Sequence, residues 1–206
     1  MHALIVLAHP DSGSLSHGVA VQIAAGILAF DGANSFDIAD LTDEAFDPRF
    51  SEADIAAHRR KAAPPADVAA EQARIDRADA LVLVYPVYWW SMPALMKGWI
   101  DRVFANGWAY DDVPGSKVVK KLGHLRVHLV GIGGADVSTY ERHGYLNAMR
   151  TQIDHGIFDY CGAHVVMSEL FLDSDAGNAA AHIEAASCIG RNIFNFQGRC
   201  TASSAA

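Results

Sequence analysis

Short apolar runs alternate along the chain with longer stretches in which apolar residues recur every three or four positions. Residues 3–8 form a continuous apolar run, as expected of a parallel strand buried on both faces. Leu15, Val19, Ile23, Ile27 and Phe30 then repeat at helical spacing, with Ser14 or Ser16 placed to cap the helix. Residues 36–39 predict a weak second strand, and an acidic loop follows over 41–49. Ser51-Glu52-Ala53-Asp54 opens a helix that Pro64-Pro65 ends, and residues 66–77 predict another. Residues 80–84 read as a third strand. After Pro93 a helix carries Leu95, Met96, Trp99, Ile100 and Val103 on its apolar side. Residues 125–130 predict a fourth strand, 144–161 a helix, 165–172 a fifth strand and 179–196 a closing helix. Residues 198–206 read as a frayed tail.

Five strands alternating with helices predict an α/β, doubly wound, five-stranded parallel sheet with helices on both faces. The natural strand order is 2-1-3-4-5. No repeat or linker divides the chain, so residues 1–198 are expected to form one domain and 199–206 a flexible tail.

Composition narrows the function classes. The 206 residues are 51% hydrophobic and 19% charged, a compact rather than a disordered balance. A formal net charge of −8 weighs against a nucleic-acid partner, whose affinity comes from Lys and Arg. No apolar run approaches a membrane span, and the N-terminus has no positive region before its first strand. Cys161, Cys188 and Cys200 form no close-spaced pair, which fits reduced thiols in a cytoplasmic protein and offers no zinc spacing.

Three loops leave the carboxyl ends of strands one, three and four, which lie side by side in this topology. The first, residues 9–16, offers hydroxyls and helix-start N–H groups to an anion such as a phosphate. It is neither a Walker A loop nor a GxGxxG. The second, residues 86–90, sets Tyr88, Trp89 and Trp90 between two prolines and holds flat apolar surface at the sheet edge. All four tryptophans lie between residues 85 and 110. Flat rings on a rigid loop suit an isoalloxazine or a quinone. The third, residues 131–140, has Gly133-Gly134, which permits close backbone approach, with Tyr140 and His143 after it. Such groups are suitable stabilisers and proton donors for the charge that develops on a reduced flavin.

From Pro86 to Phe104 the chain reads Pro-x-x-Trp-x-x-x-Pro-Ala-x-x-Lys-Gly-Trp-x-x-Arg-Val-Phe, followed by Ala109-Tyr110, Gly133-Gly134, Tyr140 and His143-Gly144. With these motifs it resembles the NAD(P)H:quinone oxidoreductases of flavodoxin-like fold. That group includes DT-diaphorase, the modulator-of-drug-activity quinone reductases and the ancillary subunits of potassium efflux systems. The resemblance implies two-electron reduction of quinones by NADH or NADPH through a bound flavin, FAD or alternatively FMN, by a ping-pong route. It implies that His9, Ser14, Leu15 and Ser16 hold the flavin phosphate. Pro86, Val87, Tyr88, Trp89 and Trp90 would border the isoalloxazine, and Gly133, Gly134 and Tyr140 its pyrimidine side. Tyr140 and His143 would be the catalytic pair. Trp90 would line the substrate pocket, with Trp108 and Tyr110 supplied by the partner of a homodimer. Rival readings are a nitro- or azo-reductase on the same flavin, a regulatory subunit of a potassium efflux channel, and a flavodoxin-type electron carrier. The tryptophan-rich segments argue against the carrier.

Overall fold

The computed structural model describes residues 1–172 and 178–195. Among the described residues there are seven strands: β1 (His2–Leu7), β2 (Ser35–Asp40), β3 (Ala80–Pro86), β4 (Tyr110–Asp111), β5 (Val119–Lys120), β6 (Arg126–Ile132) and β7 (His164–Phe171). Five of them form a parallel sheet in the order β2-β1-β3-β6-β7, while β4 and β5 make a small antiparallel ribbon. Without the ribbon this is the expected order 2-1-3-4-5. Each ribbon strand is two residues long, too short to leave a periodic signal.

The helices are α1 (Leu15–Phe30), α2 (Glu52–His58), α3 (Ala66–Asp76), α4 (Ala94–Val103), α5 (Val137–His143), α6 (Tyr145–Met149) and α7 (Ala179–Asn192). Side chains alternate across the sheet and build a core on each face. Leu4, Val6, Leu81 and Leu83 join Ile75 of α3 and Met96, Trp99 and Val103 of α4. Ile5, Leu7, Val82 and Val84 join Val19, Ile23 and Ile27 of α1 and Ala186 and Ile189 of α7. Helices α1 and α7 meet almost backbone to backbone. A Cβ on Gly190 would lie 2.1 Å from the Ile23 carbonyl oxygen, and one on Gly26 would lie 2.4 Å from that of Ser187. Phe30, expected on the apolar face of α1, is 54% exposed at the helix end.

Local chemistry fixes most boundaries. Of the two serines that could cap α1, Ser14 does so, accepting the His17 N–H. Ser51 and Asp54 form the capping box that opens α2. The long excursion between β2 and α3 is held by buried Arg102 of α4. Its guanidinium donates to Asp54 at 3.2 Å, to Asp67 at 2.6 Å and to the Asp47 carbonyl at 2.8 Å.

The helix expected over 144–161 is divided. Asp136 caps α5, Gly144 takes the left-handed conformation (φ 71°), and α6 begins at once. A π-helical segment, Arg150–Asp159, continues the run. Tyr140 and His143 therefore lie on a helix rather than on the loop after the fourth strand. Helix α7 ends at Asn192 instead of 196; residue 196 and the tail at 198–206 lie outside the described residues. Cys161 is a buried free thiol. Cys200 lies outside the described residues, so the expectation of reduced thiols throughout is met within them only by Cys161. Among the described residues no helix is long and apolar enough to cross a membrane.

Candidate functional site

The parallel registers place the carboxyl ends of β1, β3 and β6 side by side, with Leu7 opposite Val84 and Pro86 opposite Ile132. The three loops singled out in the sequence leave from these ends.

The first loop is ordered by its own polar groups. His9 Nδ1 accepts the Asp11 N–H at 3.0 Å, and the Asp11 carboxylate accepts the Gly13 N–H at 2.9 Å. Leu15 is partly buried, and Ser16 is buried at 2% exposure. Ser14 is tied further than its capping role requires. Its Oγ lies 2.8 Å from His17 Nδ1, and His17 Nε2 lies 2.7 Å from the Asp40 carboxylate at the end of β2.

The second loop is a two-residue turn. Tyr88 and Ser91 exchange N–H···O bonds of 3.0 and 3.1 Å, and the residues between them, Trp89 and Trp90, have φ of 50° and 59°. Positive φ at both central positions is normally met by Asn and Gly, and for other residues it costs on the order of 1 kcal/mol each. Packing offsets part of this at Trp90. Its ring stacks on Tyr145 at 3.8 Å and 11° and meets Tyr140 edge-on at 5.1 Å. Trp89 points into solvent with 93% of its surface exposed. Neither tryptophan N–H has an intrachain acceptor among the described residues. Val87 donates to the Ile132 carbonyl at 2.8 Å, which seats the loop against the third one.

The third loop packs against the phenol of Tyr140 on α5. A Cβ on Gly133 would lie 2.6 Å from the Tyr140 hydroxyl oxygen, so that oxygen rests against bare glycine backbone. Burial raises the Tyr140 pKa, which keeps it a neutral hydrogen-bond donor. Val87, Trp89, Trp90, Gly133, Gly134, Ala135 and Tyr140 together line one open cleft. His143 is exposed and reaches this cleft only through Tyr145, against which it stacks at 5.3 Å. Trp108 and Tyr110 lie elsewhere. Trp108 donates to Asp76 at 3.1 Å and packs on Phe104, and Tyr110 meets Tyr160.

The model of the family described as having the flavodoxin-like fold matches residues 1–188. The chain belongs to this flavodoxin-like family. An uncharacterized NAD(P)H oxidoreductase of Haemophilus influenzae is 33% identical over 84% of this chain and 84% of its own length. The solved NAD(P)H:quinone oxidoreductase of Methanothermobacter marburgensis superposes with a TM-score of 0.82 and 27% identity, covering 93% of this chain and 98% of that one. General stress protein 14 of Treponema denticola, solved in complex with FMN, superposes with a TM-score of 0.61 and 25% identity, covering 92% of this chain and 95% of that one.

Three residues of this flavodoxin-like site escaped the sequence reading. Tyr145 follows Gly144 directly and was hidden inside a helix expected to begin there. His17 sits one turn into α1, where a histidine reads as a solvated helix residue. Asp40 ends a weak strand, and only the fold brings it to His17.

Proposed function

We propose that this flavodoxin-like chain is a flavin-dependent NAD(P)H:quinone oxidoreductase. The observation that carries the reading is the cleft between the Trp89-Trp90 turn and Gly133-Gly134. It is lined by Trp89 and Trp90, whose backbone N–H groups have no acceptor among the described residues, and it has no side chain at Gly133, where a Cβ would collide with Tyr140. These features fit an isoalloxazine edge. The similarity of most of the chain to an NAD(P)H oxidoreductase and to an NAD(P)H:quinone oxidoreductase supports the same reading.

The flavin would supply the reversible acceptance and release of a hydride. The protein's part is binding, orientation and charge. The first loop, with His9, Ser14, Leu15 and Ser16 at the start of α1, holds the phosphate end. Pro86, Val87, Tyr88, Trp89 and Trp90 border the ring system, and Gly133 and Gly134 let the backbone approach its pyrimidine edge. Tyr140, neutral and buried, offers its hydroxyl hydrogen to negative charge on that edge. His143 is the proposed partner of Tyr140 in managing charge and protons; it stands outside the cleft, stacked on Tyr145, which stacks on Trp90. Trp90 lines the space for nicotinamide and quinone.

A homodimer completes the site in this proposal. Trp108 and Tyr110 lie away from their own chain's cleft, and Trp89 is bare, so a second copy would present the former over the latter. FAD is the proposed form of the cofactor, with FMN the alternative, and release of the cofactor from the purified protein separates them. The reading is tested by steady-state oxidation of NADH and NADPH with menadione as acceptor. Turnover with parallel double-reciprocal lines supports it and the shared-site, ping-pong route. Intersecting lines refute the shared site, and no turnover from flavin-loaded protein refutes the function.

A further inference from the structure

We propose that His17 is a positioning residue for the cofactor's phosphate: its protonation frees the Ser14 hydroxyl hydrogen to bind the anion, so that phosphate binding and proton uptake by His17 are one linked event. The inference rests on the flavin reading above and deepens it at the first loop.

Ser14 Oγ has one hydrogen to donate. It already accepts the His17 backbone N–H at 3.4 Å, and it lies 2.8 Å from His17 Nδ1. On the other side of the ring, His17 Nε2 is 2.7 Å from Asp40 Oδ2. An ionised carboxylate can only accept, so Nε2 carries a hydrogen. If His17 is neutral, Nδ1 is then a bare lone pair, and the only hydrogen that can meet it is that of Ser14. The hydroxyl is consumed within the protein and turns oxygen lone pairs toward any anion. If His17 is protonated, Nδ1–H donates to Ser14 Oγ instead, and the hydroxyl hydrogen is free to turn outward.

The Asp40 carboxylate is held in place by the Thr42 and Asp43 N–H groups at 3.0 and 3.3 Å. His9 also faces His17, its ring meeting it edge-on at 6.3 Å. Between residues 9 and 17 the chain has no lysine or arginine, so the two histidines are its only basic side chains there. A phosphate at the start of α1 would meet N–H groups and the helix dipole, and protonated His17 would supply the full positive charge. By linkage, the anion must raise the protonation of His17 as much as protonation favours the anion.

The test uses apoprotein titrated by fluorescence with FMN, FAD and riboflavin, which lacks the phosphate, from about pH 7 upward, where the phosphate of FMN is a dianion. The expected result is a Kd for FMN and FAD that rises up to about tenfold per pH unit on the alkaline side, with riboflavin flat. His17→Gln should bind FMN with a pH-independent Kd close to the alkaline wild-type value. In parallel, imidazole nitrogen shifts of the apoprotein are followed as inorganic phosphate is added. Phosphate should drive His17 toward the imidazolium at fixed pH. An FMN affinity that is flat with pH, or a His17 resonance that ignores phosphate, overturns the inference while leaving the flavin reading intact. Failure of all three flavins to bind overturns the flavin reading itself.

Discussion

His128 should make the protein acid-sensitive by an amount that the structure sets. The residue lies in the middle of β6 on the side covered by α1 and α7, 5% exposed. Neither ring nitrogen has a hydrogen-bond partner, and the Ile193 backbone facing it offsets burial only in part. Burial pushes its pKa from 6.5 down to about 4. The folded state thus resists a proton that the unfolded chain accepts freely. Above 6.5 both states are neutral and the residue contributes no pH dependence. As pH falls from 6.5 toward 4 the unfolded state gains relative to the folded one. Integrated over the window, the loss is about 3 kcal/mol, and at pH 5 it is about 2 kcal/mol. That is a large share of the 5–15 kcal/mol typical of a domain, at about 0.1 kcal/mol per residue. The assay is urea unfolding of the wild type and His128→Leu at about pH 7.5 and pH 5. Asp54 and Asp67 add an acid sensitivity of their own, but mainly below this window, once the pH falls under the ordinary carboxylate range. Arg102 and other donors hold both carboxyls below their ordinary range, Asp54 despite its burial. Their effect is common to both proteins and cancels in the difference. The wild type should lose about 2 kcal/mol more than the variant on acidification. Equal losses would show that His128 takes up its proton without penalty, and the reasoning from burial would fail.

Other substitutions probe the site and its supports. Gly133→Ala puts a Cβ 2.6 Å from the Tyr140 oxygen, so flavin affinity measured by fluorescence quenching should drop about tenfold, roughly 1.4 kcal/mol; unchanged affinity would show that the cleft does not need bare backbone there. Tyr140→Phe combined with His143→Gln should slow anaerobic flavin reduction in stopped flow by about a hundredfold while flavin binding changes little, and an unchanged rate would remove both residues from the chemistry. Arg102→Ala leaves buried Asp54 without its cation and should cost about 3–5 kcal/mol by urea unfolding, with a loss under about 1 kcal/mol excluding Arg102 as the anchor of the 41–65 excursion.

The main frame was legible because parallel strands buried on both faces write themselves as continuous apolar runs, as in residues 3–8 and 80–84. Proline and glycine marked where those strands stop, which located all three loops. Features that depend on one or two residues were not legible. The left-handed pair Trp89-Trp90 contradicts the usual turn chemistry, and only the Tyr145 stack explains Trp90 in that conformation. The break at Gly144 was hidden because residues on both sides of it are helical. The Ser14–His17–Asp40 chain joins residues 26 positions apart, through a crossover that no local pattern encodes. His128 looked like one more scattered histidine, and only packing against α7 makes it consequential.

On the function proposed above, the cleft holds a flavin which NAD(P)H reduces and a quinone reoxidises. The most direct measurement is the visible spectrum of flavin-loaded protein under anaerobic conditions, taken before and after one equivalent of NADH or NADPH and again after menadione. Loss of the visible absorbance of the oxidised flavin with at least one nucleotide, restored fully by the quinone, is the predicted result. A bound flavin that neither nucleotide reduces would contradict the account and leave an electron carrier or a regulatory subunit in its place.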